Sequence, residues 1–328
     1  MSGPMVYLLG DANVDVILPI DEYPEHGGDK RSEDMIIESG GSAANSAVVL
    51  AQLGVAAHLI ACVGEDPWAP IAKSRLNASG VEISLVQTAQ SEQTGLMFIP
   101  VTPDGQRTLF GRRGANRLLQ ADSLPYGDLG EADGLHVSGY SFLAPDSHRS
   151  AVRAIRAAKD GGALISMDTA YEPPFQAADQ IRESLADIDI LILGEREAEE
   201  LSGVRKDQIG PWYREKGVST LAIKLGRQGA RIHQDGETWE IPIYSVEVID
   251  TTGAGDAFSA GILYGLLKGL SAPAAGLLAS ACGAAATTVW GAGGAFPGRE
   301  NVESVLRAAV DSIPSNLKAP HGRLLEQM

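Results

Sequence analysis

Val248-Ile-Asp-Thr-Thr-Gly-Ala-Gly-Asp-Ala-Phe-Ser-Ala-Gly-Ile-Leu263 is the stretch on which the reading of this chain turns. A strand-like run ends at Asp250, small residues turn the chain from Thr251 to Gly255, and an apolar helix is expected to begin near Asp256. Glycines let the backbone turn sharply and aim several N–H groups at one point. At a helix N-terminus the dipole also favours negative charge, so the turn reads as a socket for a phosphate or a developing oxyanion. Asp256 stands at its rim. An aspartate there is also a good helix N-cap, but a plain cap needs no Gly-Ala-Gly before it. Beside an anion socket, a carboxylate can take a proton from a hydroxyl that attacks phosphorus. Phe258 occupies the place of the third glycine of a dinucleotide fingerprint, and no Walker loop, HExxH, CxxC or GxSxG occurs.

Outward from this stretch, short apolar runs recur at 6–10, 58–63, 134–138, 163–167, 188–193 and 220–224. Most are separated by helical patterns such as Ser42–Leu53 and Ser147–Lys159. Strands alternating with helices imply βαβ units and a mainly parallel sheet with helices on both faces. Two regions break the rhythm. Runs at 16–20 and 35–38 are joined by a polar link, and runs at 95–101 and 106–110 flank a Thr102-Pro-Asp-Gly105 turn, which reads as a hairpin. About four strands therefore leave the main sheet. One face of this small sheet is read as apolar (Ile17, Ile36, Met97, Ile99). With its exposed edges, it is expected to pair with a second copy.

The chain has 328 residues, 26 Lys+Arg against 42 Asp+Glu and a net charge of −16. So acidic a surface argues against nucleic-acid or anionic-membrane partners. Cys62 and Cys282 are too few for a disulfide framework and read as buried thiols in a reducing compartment. No secretory signal is visible. The uncharged stretch between Lys268 and Arg299 is Ala- and Gly-rich and reads as a buried helix, so the protein is expected to be soluble and cytoplasmic. His136, in a strand-like run, is expected to be a core residue, and Trp212 and Trp239 packing anchors.

Asp250-Thr-Thr-Gly-Ala-Gly-Asp256 resembles the C-terminal signature of the PfkB, or ribokinase-like, carbohydrate kinase family. Gly40-Gly-Ser-Ala-Ala-Asn45 resembles its N-terminal signature, and Gly10-Asp-Ala-Asn-Val-Asp15 is similar to its first substrate loop. Order and spacing agree over nearly the whole chain. The resemblance implies one ribokinase-like kinase domain over 1–328, a three-layer α/β/α fold with a mainly parallel central sheet, and a small β-sheet lid formed by about 14–39 and 94–113. It implies ATP-dependent phosphorylation of a small sugar or sugar derivative, with a nucleoside as the second choice. A sensor that binds without turnover is the reading from another class.

Carried over by residue, Asp256 would be the catalytic base, and Gly253, Ala254 and Gly255 the anion hole. Asn13, Asp15, Gly41 and Asn45 would hold substrate hydroxyls. The other reading of Asp15 is a turn residue, and of Asn45 a helix-face amide or cap. Glu197, in Leu193-Gly-Glu-Arg-Glu-Ala-Glu199, takes the place of the family's Glu that positions Mg²⁺ through water, although Gly194 stands where Asn is usual; an acidic solvated helix start is the other reading. Lys224-Leu-Gly-Arg-Gln-Gly229 resembles the nucleotide loop, so Lys224, Gly226, Gly229 and Ser280 would contact ATP; a strand-to-hairpin turn is the alternative. Asp250, Thr252 and Gly291 would enclose a monovalent cation such as K⁺. Arg112-Arg113 is either a solvated pair or a site for an anionic group, and Arg113 is taken as the substrate contact. Lid pairing would make a homodimer.

Overall fold

The computed structural model describes residues 3–290 and 298–328. The strands, in chain order, are β1 (Met5–Leu9), β2 (Asn13–Pro19), β3 (Ile36–Gly40), β4 (Ala56–Gly64), β5 (Val86–Ala89), β6 (Gly95–Val101), β7 (Phe110–Arg112), β8 (Gly134–Ser138), β9 (Leu164–Asp168), β10 (Ile190–Gly194), β11 (Thr220–Lys224), β12 (Ala230–Gln234) and β13 (Glu237–Ile241). Nine form one sheet in the order β13-β12-β11-β10-β9-β8-β1-β4-β5. It is parallel from β11 to β5, and β12 and β13 are antiparallel. Apart from the edge strand β5, the strands of the parallel part are mostly apolar and buried because helices cover both faces. One apolar core takes in the helices Ser42–Gln52, Ala254–Leu267 and Ala272–Ala286. The other takes in Pro145–Asp160 and Glu195–Ser202.

Within the uncharged stretch lies the buried helix Ala272–Ala286. It lies close against Ala254–Leu267: a methyl on Gly261 would come within 2.7 Å of the Ala279 backbone. Small side chains give this pair its close approach. Cys62 and Cys282 are buried free thiols. Among the described residues no helix is long and apolar enough to cross a membrane.

β2, β3, β6 and β7 form a separate sheet in the order β3-β2-β6-β7. Two expectations about it are corrected. The strand placed at 106–110 is regular only at Phe110–Arg112. Val101 and Arg107 make an isolated bridge in the same register, but Pro100 has no N–H to donate and interrupts the ladder between. The exposed apolar face is also the opposite one. Side chains alternate along a strand, so Ile17, Ile36, Met97 and Ile99 share the face of Asp15. Ile17 and Ile99 are buried there. The outward row is Ile37–Val16–Phe98–Phe110, in which Ile37, Phe98 and Phe110 are exposed.

Candidate active site

The order of the large sheet reverses at β1, whose neighbours β4 and β8 lead away in opposite directions. Such a switch point opens a crevice at the carboxyl ends of the strands. Asp11 follows β1, Asp168 ends β9, Gly194 ends β10 and Lys224 ends β11, so all four stand on that edge.

The helix begins at Ala254, two residues before the expected start. Gly253 is its N-cap, with φ 76°, a left-handed conformation that suits glycine. Asp256 is therefore not the cap but the third helical residue, half-buried. Its Oδ1 accepts a hydrogen bond from Ser42 Oγ at 2.9 Å, and its Oδ2 one from Asn45 Nδ2 at 2.7 Å. Ser46 Oγ donates to its backbone carbonyl. Burial pushes the Asp256 carboxyl up to about 6, with the Asp168 charge adding to it, although the Asn45 and Ser42 bonds and Lys224 oppose the rise. Of the expected anion-hole amides, Ala254 N–H turns to Thr251 C=O at 3.3 Å. The first-turn N–H groups of Gly255 and Asp256 have no carbonyl of their own helix before them.

Gly41 caps the helix Ser42–Gln52 with φ 105°, and a Cβ there would collide with the Asp11 carbonyl. That close approach brings Ser42 and Asn45 to Asp256. Asn45 Oδ1 is buried and has no hydrogen-bond partner among the described residues. Asn13 and Asp15 are buried on the inner face of the small sheet. Asn13 Oδ1 accepts from Asn116 Nδ2 at 2.7 Å, and Asn116 Oδ1 accepts from Ala12 N–H at 2.9 Å. Burial raises Asp15 to about 7; Glu38 and Asp256 add to this and Arg75 and Arg107 oppose it. Arg113 makes a bidentate pair with Asp11, 3.0 Å from Nε to Oδ2 and 2.7 Å from Nη2 to Oδ1, and its buried Nη1 has no hydrogen-bond partner among the described residues. Arg112 points out to Glu92 and Gln93.

Lys224, expected to contact ATP, is tied to Asp168. Its Nζ donates to Asp168 Oδ2 at 2.7 Å, and Asp168 also accepts from Ser259 Oγ at 2.6 Å. Burial alone would raise Asp168, but Lys224 and the Ser259 bond outweigh it and hold the carboxyl below its ordinary range. Gly226 and Gly229 have positive φ and close the turn from β11 to β12. Ser280 Oγ donates to the Pro242 carbonyl at 2.7 Å.

Glu197 folds back toward its own helix start. A side chain at Gly194 would collide with its carboxylate, and Glu197 Oε2 is buried with no hydrogen-bond partner among the described residues. Burial raises its proton affinity, with Lys224 opposing. A lone buried carboxylate oxygen suits Mg²⁺ held through water. Asp250 is fully buried, and its Oδ1 accepts from the Thr252 N–H and hydroxyl. Gly291, the third expected ligand of a monovalent cation, lies outside the described residues. His136 is a core residue: burial lowers it to about 4, and its Nδ1 lies 3.1 Å from Ser166 Oγ.

Sequence reasoning missed Asp11, Ser42, Asn116 and Asp168 as site residues. Asp11 and Ser42 sit inside quoted motifs, whereas Asn116 and Asp168 carry no local signal.

The family described as pfkB family carbohydrate kinase matches residues 4–298. An ATP-dependent ribose-1-phosphate kinase of Halopiger xanaduensis is 32% identical over 84% of this chain and 89% of its own length. A fructokinase of Escherichia coli is 31% identical over 91% of this chain and 98% of its own. An E. coli structure described as a ribokinase II in complex with ATP and Mg²⁺ superposes with a TM-score of 0.83 at 26% identity, covering 94% of this chain and 100% of that one.

Proposed function

The chain belongs to the pfkB family of carbohydrate kinases, and on that premise we propose that it transfers the terminal phosphoryl group of ATP to a hydroxymethyl group of a small sugar or sugar derivative. The observation that carries the mechanism is the Asp256 carboxylate, fixed on both oxygens by Ser42 and Asn45 beside the open amides of a helix N-terminus. Each oxygen keeps a free lone pair, so the group can still take a proton. Asp256 accepts the hydroxyl proton as that oxygen attacks phosphorus, and the amides from Gly253 to Gly255 stabilise charge on the transferring group.

Asn13, Asp15, Gly41 and Asn45 hold the sugar under the small sheet, which acts as a lid that excludes water as a competing acceptor. Glu197 would hold Mg²⁺ through water, and the ion would supply neutralisation of phosphate charge. Gly226, Gly229 and Ser280 shape the nucleotide side. K⁺ is assigned to Asp250 and Thr252, because a fully buried carboxylate is the counter-charge such an ion needs.

The Arg113–Asp11 pair neutralises itself, which favours an uncharged sugar. A phosphorylated sugar is the second reading: the Halopiger relative is named for one, and Arg113 Nη1 is a buried donor still to be satisfied. We place the protein in the reducing cytoplasm on its two buried thiols, and in a homodimer through the outer row of the lid.

The test is ADP release over a panel of free sugars, sugar phosphates and nucleosides. Release that requires a sugar supports the reading. Release only with nucleosides moves it to a nucleoside kinase, and ligand binding with no release moves it to a sensor.

A further inference from the structure

We propose that Lys224 is a catalytic residue whose ammonium contacts the phosphoryl group being transferred, and that Asp168 is the positioning residue that holds it there. The proposal rests on the kinase reading above. Two features of this chain carry it. First, Gly194 and Lys224 are register partners at the carboxyl ends of the parallel strands β10 and β11. The family's usual asparagine is absent at 194, and the Glu197 carboxylate fills the space a side chain there would take. The helix Glu195–Ser202 therefore starts with no side-chain hydrogen bond at its cap. Of these two register partners, only Lys224 brings a side-chain donor to this edge.

Second, Lys224 is aimed at the anion socket. A Cβ placed on Gly255 would lie 3.4 Å from its Nζ, so the ammonium borders the first turn of the helix Ala254–Leu267. An ammonium has three N–H bonds. Asp168 takes one, at 2.7 Å, and no other hydrogen bond is made to Nζ among the described residues. Asp168 is itself fixed, accepting from Ser259 Oγ at 2.6 Å and from Ala170 N–H at 2.9 Å. The ammonium is thus tethered on one side, beside the first turn of the helix, with two N–H bonds left to donate. In that place a full positive charge complements the charge that spreads over the transferring oxygens, and lets the half-side of the site lacking Asn work.

The competing explanation is that Lys224 only neutralises the buried Asp168. The two separate in Lys224→Met and in the double variant Asp168→Asn/Lys224→Met, which carries no unpaired buried carboxylate and covers the case in which the single variant misfolds. If Lys224 contacts the transferring group, both variants lose about 10²–10³-fold in kcat, as other enzymes do on losing one such donor. The sugar KM stays within about threefold, because the loss falls on the transition state. ADP with aluminium fluoride, a mimic of the transferring phosphoryl, loses at least about tenfold in affinity by calorimetry, while ADP alone binds within about threefold of wild type. Lys224→Arg restores part of kcat. Recovery of the double variant to near wild-type turnover, or unchanged affinity for the aluminium fluoride complex, overturns the proposal. Asp256→Asn is run alongside. An inactive Asp256→Asn beside a fully active Lys224→Met removes Lys224 alone, whereas a wild type that releases no ADP with any sugar removes the kinase reading and this proposal with it.

Discussion

A base that works near neutral pH must be ionised there yet still hold a proton usefully, and Asp256, the proposed base, suits both needs. Burial lifts it to about 6, and the hydrogen bonds from Asn45 and Ser42 keep it from rising further. As the proposed base it is active as the carboxylate, so kcat/KM should fall at least about tenfold per pH unit below about 6; a profile flat down to pH 4.5 would contradict the assignment. Asp15 carries the opposite consequence for stability. Its folded value, about 7, lies well above the ordinary aspartate value of 3.8. The protonated form is thus favoured by folding, and this stabilisation is complete below pH 4 and lost as pH rises through 7. Asp15→Asn should melt above wild type at pH 8, by at most about 4 kcal/mol in stability, and lose that advantage by pH 4, while its sugar affinity falls. Asp256 was readable in the sequence because a Gly-Ala-Gly turn has little purpose without an anion. Its partners Ser42 and Asn45 are 214 and 211 residues away, and Lys224 is 56 from Asp168. No local pattern records such pairs, and Asn116 was invisible for the same reason.

Individual elements were legible where backbone chemistry is local. The runs at 134–138 and 220–224 are strands with those bounds, because their composition suits burial on both faces. The hairpin at 95–112 was misjudged where one missing N–H, that of Pro100, outweighed the propensity of 106–110. The small sheet's face was misjudged because apolar content does not say which side of a sheet is covered; Ile17 is buried because it shares the side of Asp15. Gly41 is the element joint most exposed to test. With φ 105° and no room for a Cβ against Asp11, Gly41→Ala should cost at least about 2 kcal/mol, read by urea unfolding. It should also lower kcat, since it shifts Ser42 and Asn45 off Asp256. A variant as stable and as active as wild type would show that the joint does not set the site.

For the whole molecule, alternating strand and helix signals gave the layered architecture, and the switch point at β1 gives the position of the site. The proposed assembly rests on what is left uncovered. Ile37, Phe98 and Phe110 stand 39%, 45% and 57% exposed on one row of the small sheet, and a second copy laid on that row would remove them from water. Phe98→Glu should convert a dimer into a monomer by light scattering at micromolar concentration while the melting temperature of the fold changes little; a wild type already monomeric there would remove the assembly. The chemistry itself is tested most directly by following ATP and sugar by phosphorus NMR with wild type and Asp256→Asn at pH 8. Wild type should turn ATP into ADP and a new phosphate monoester, and the variant, still stabilised by sugar in a thermal shift, should do so at least about 10³-fold more slowly. Turnover by Asp256→Asn close to that of wild type would contradict the account.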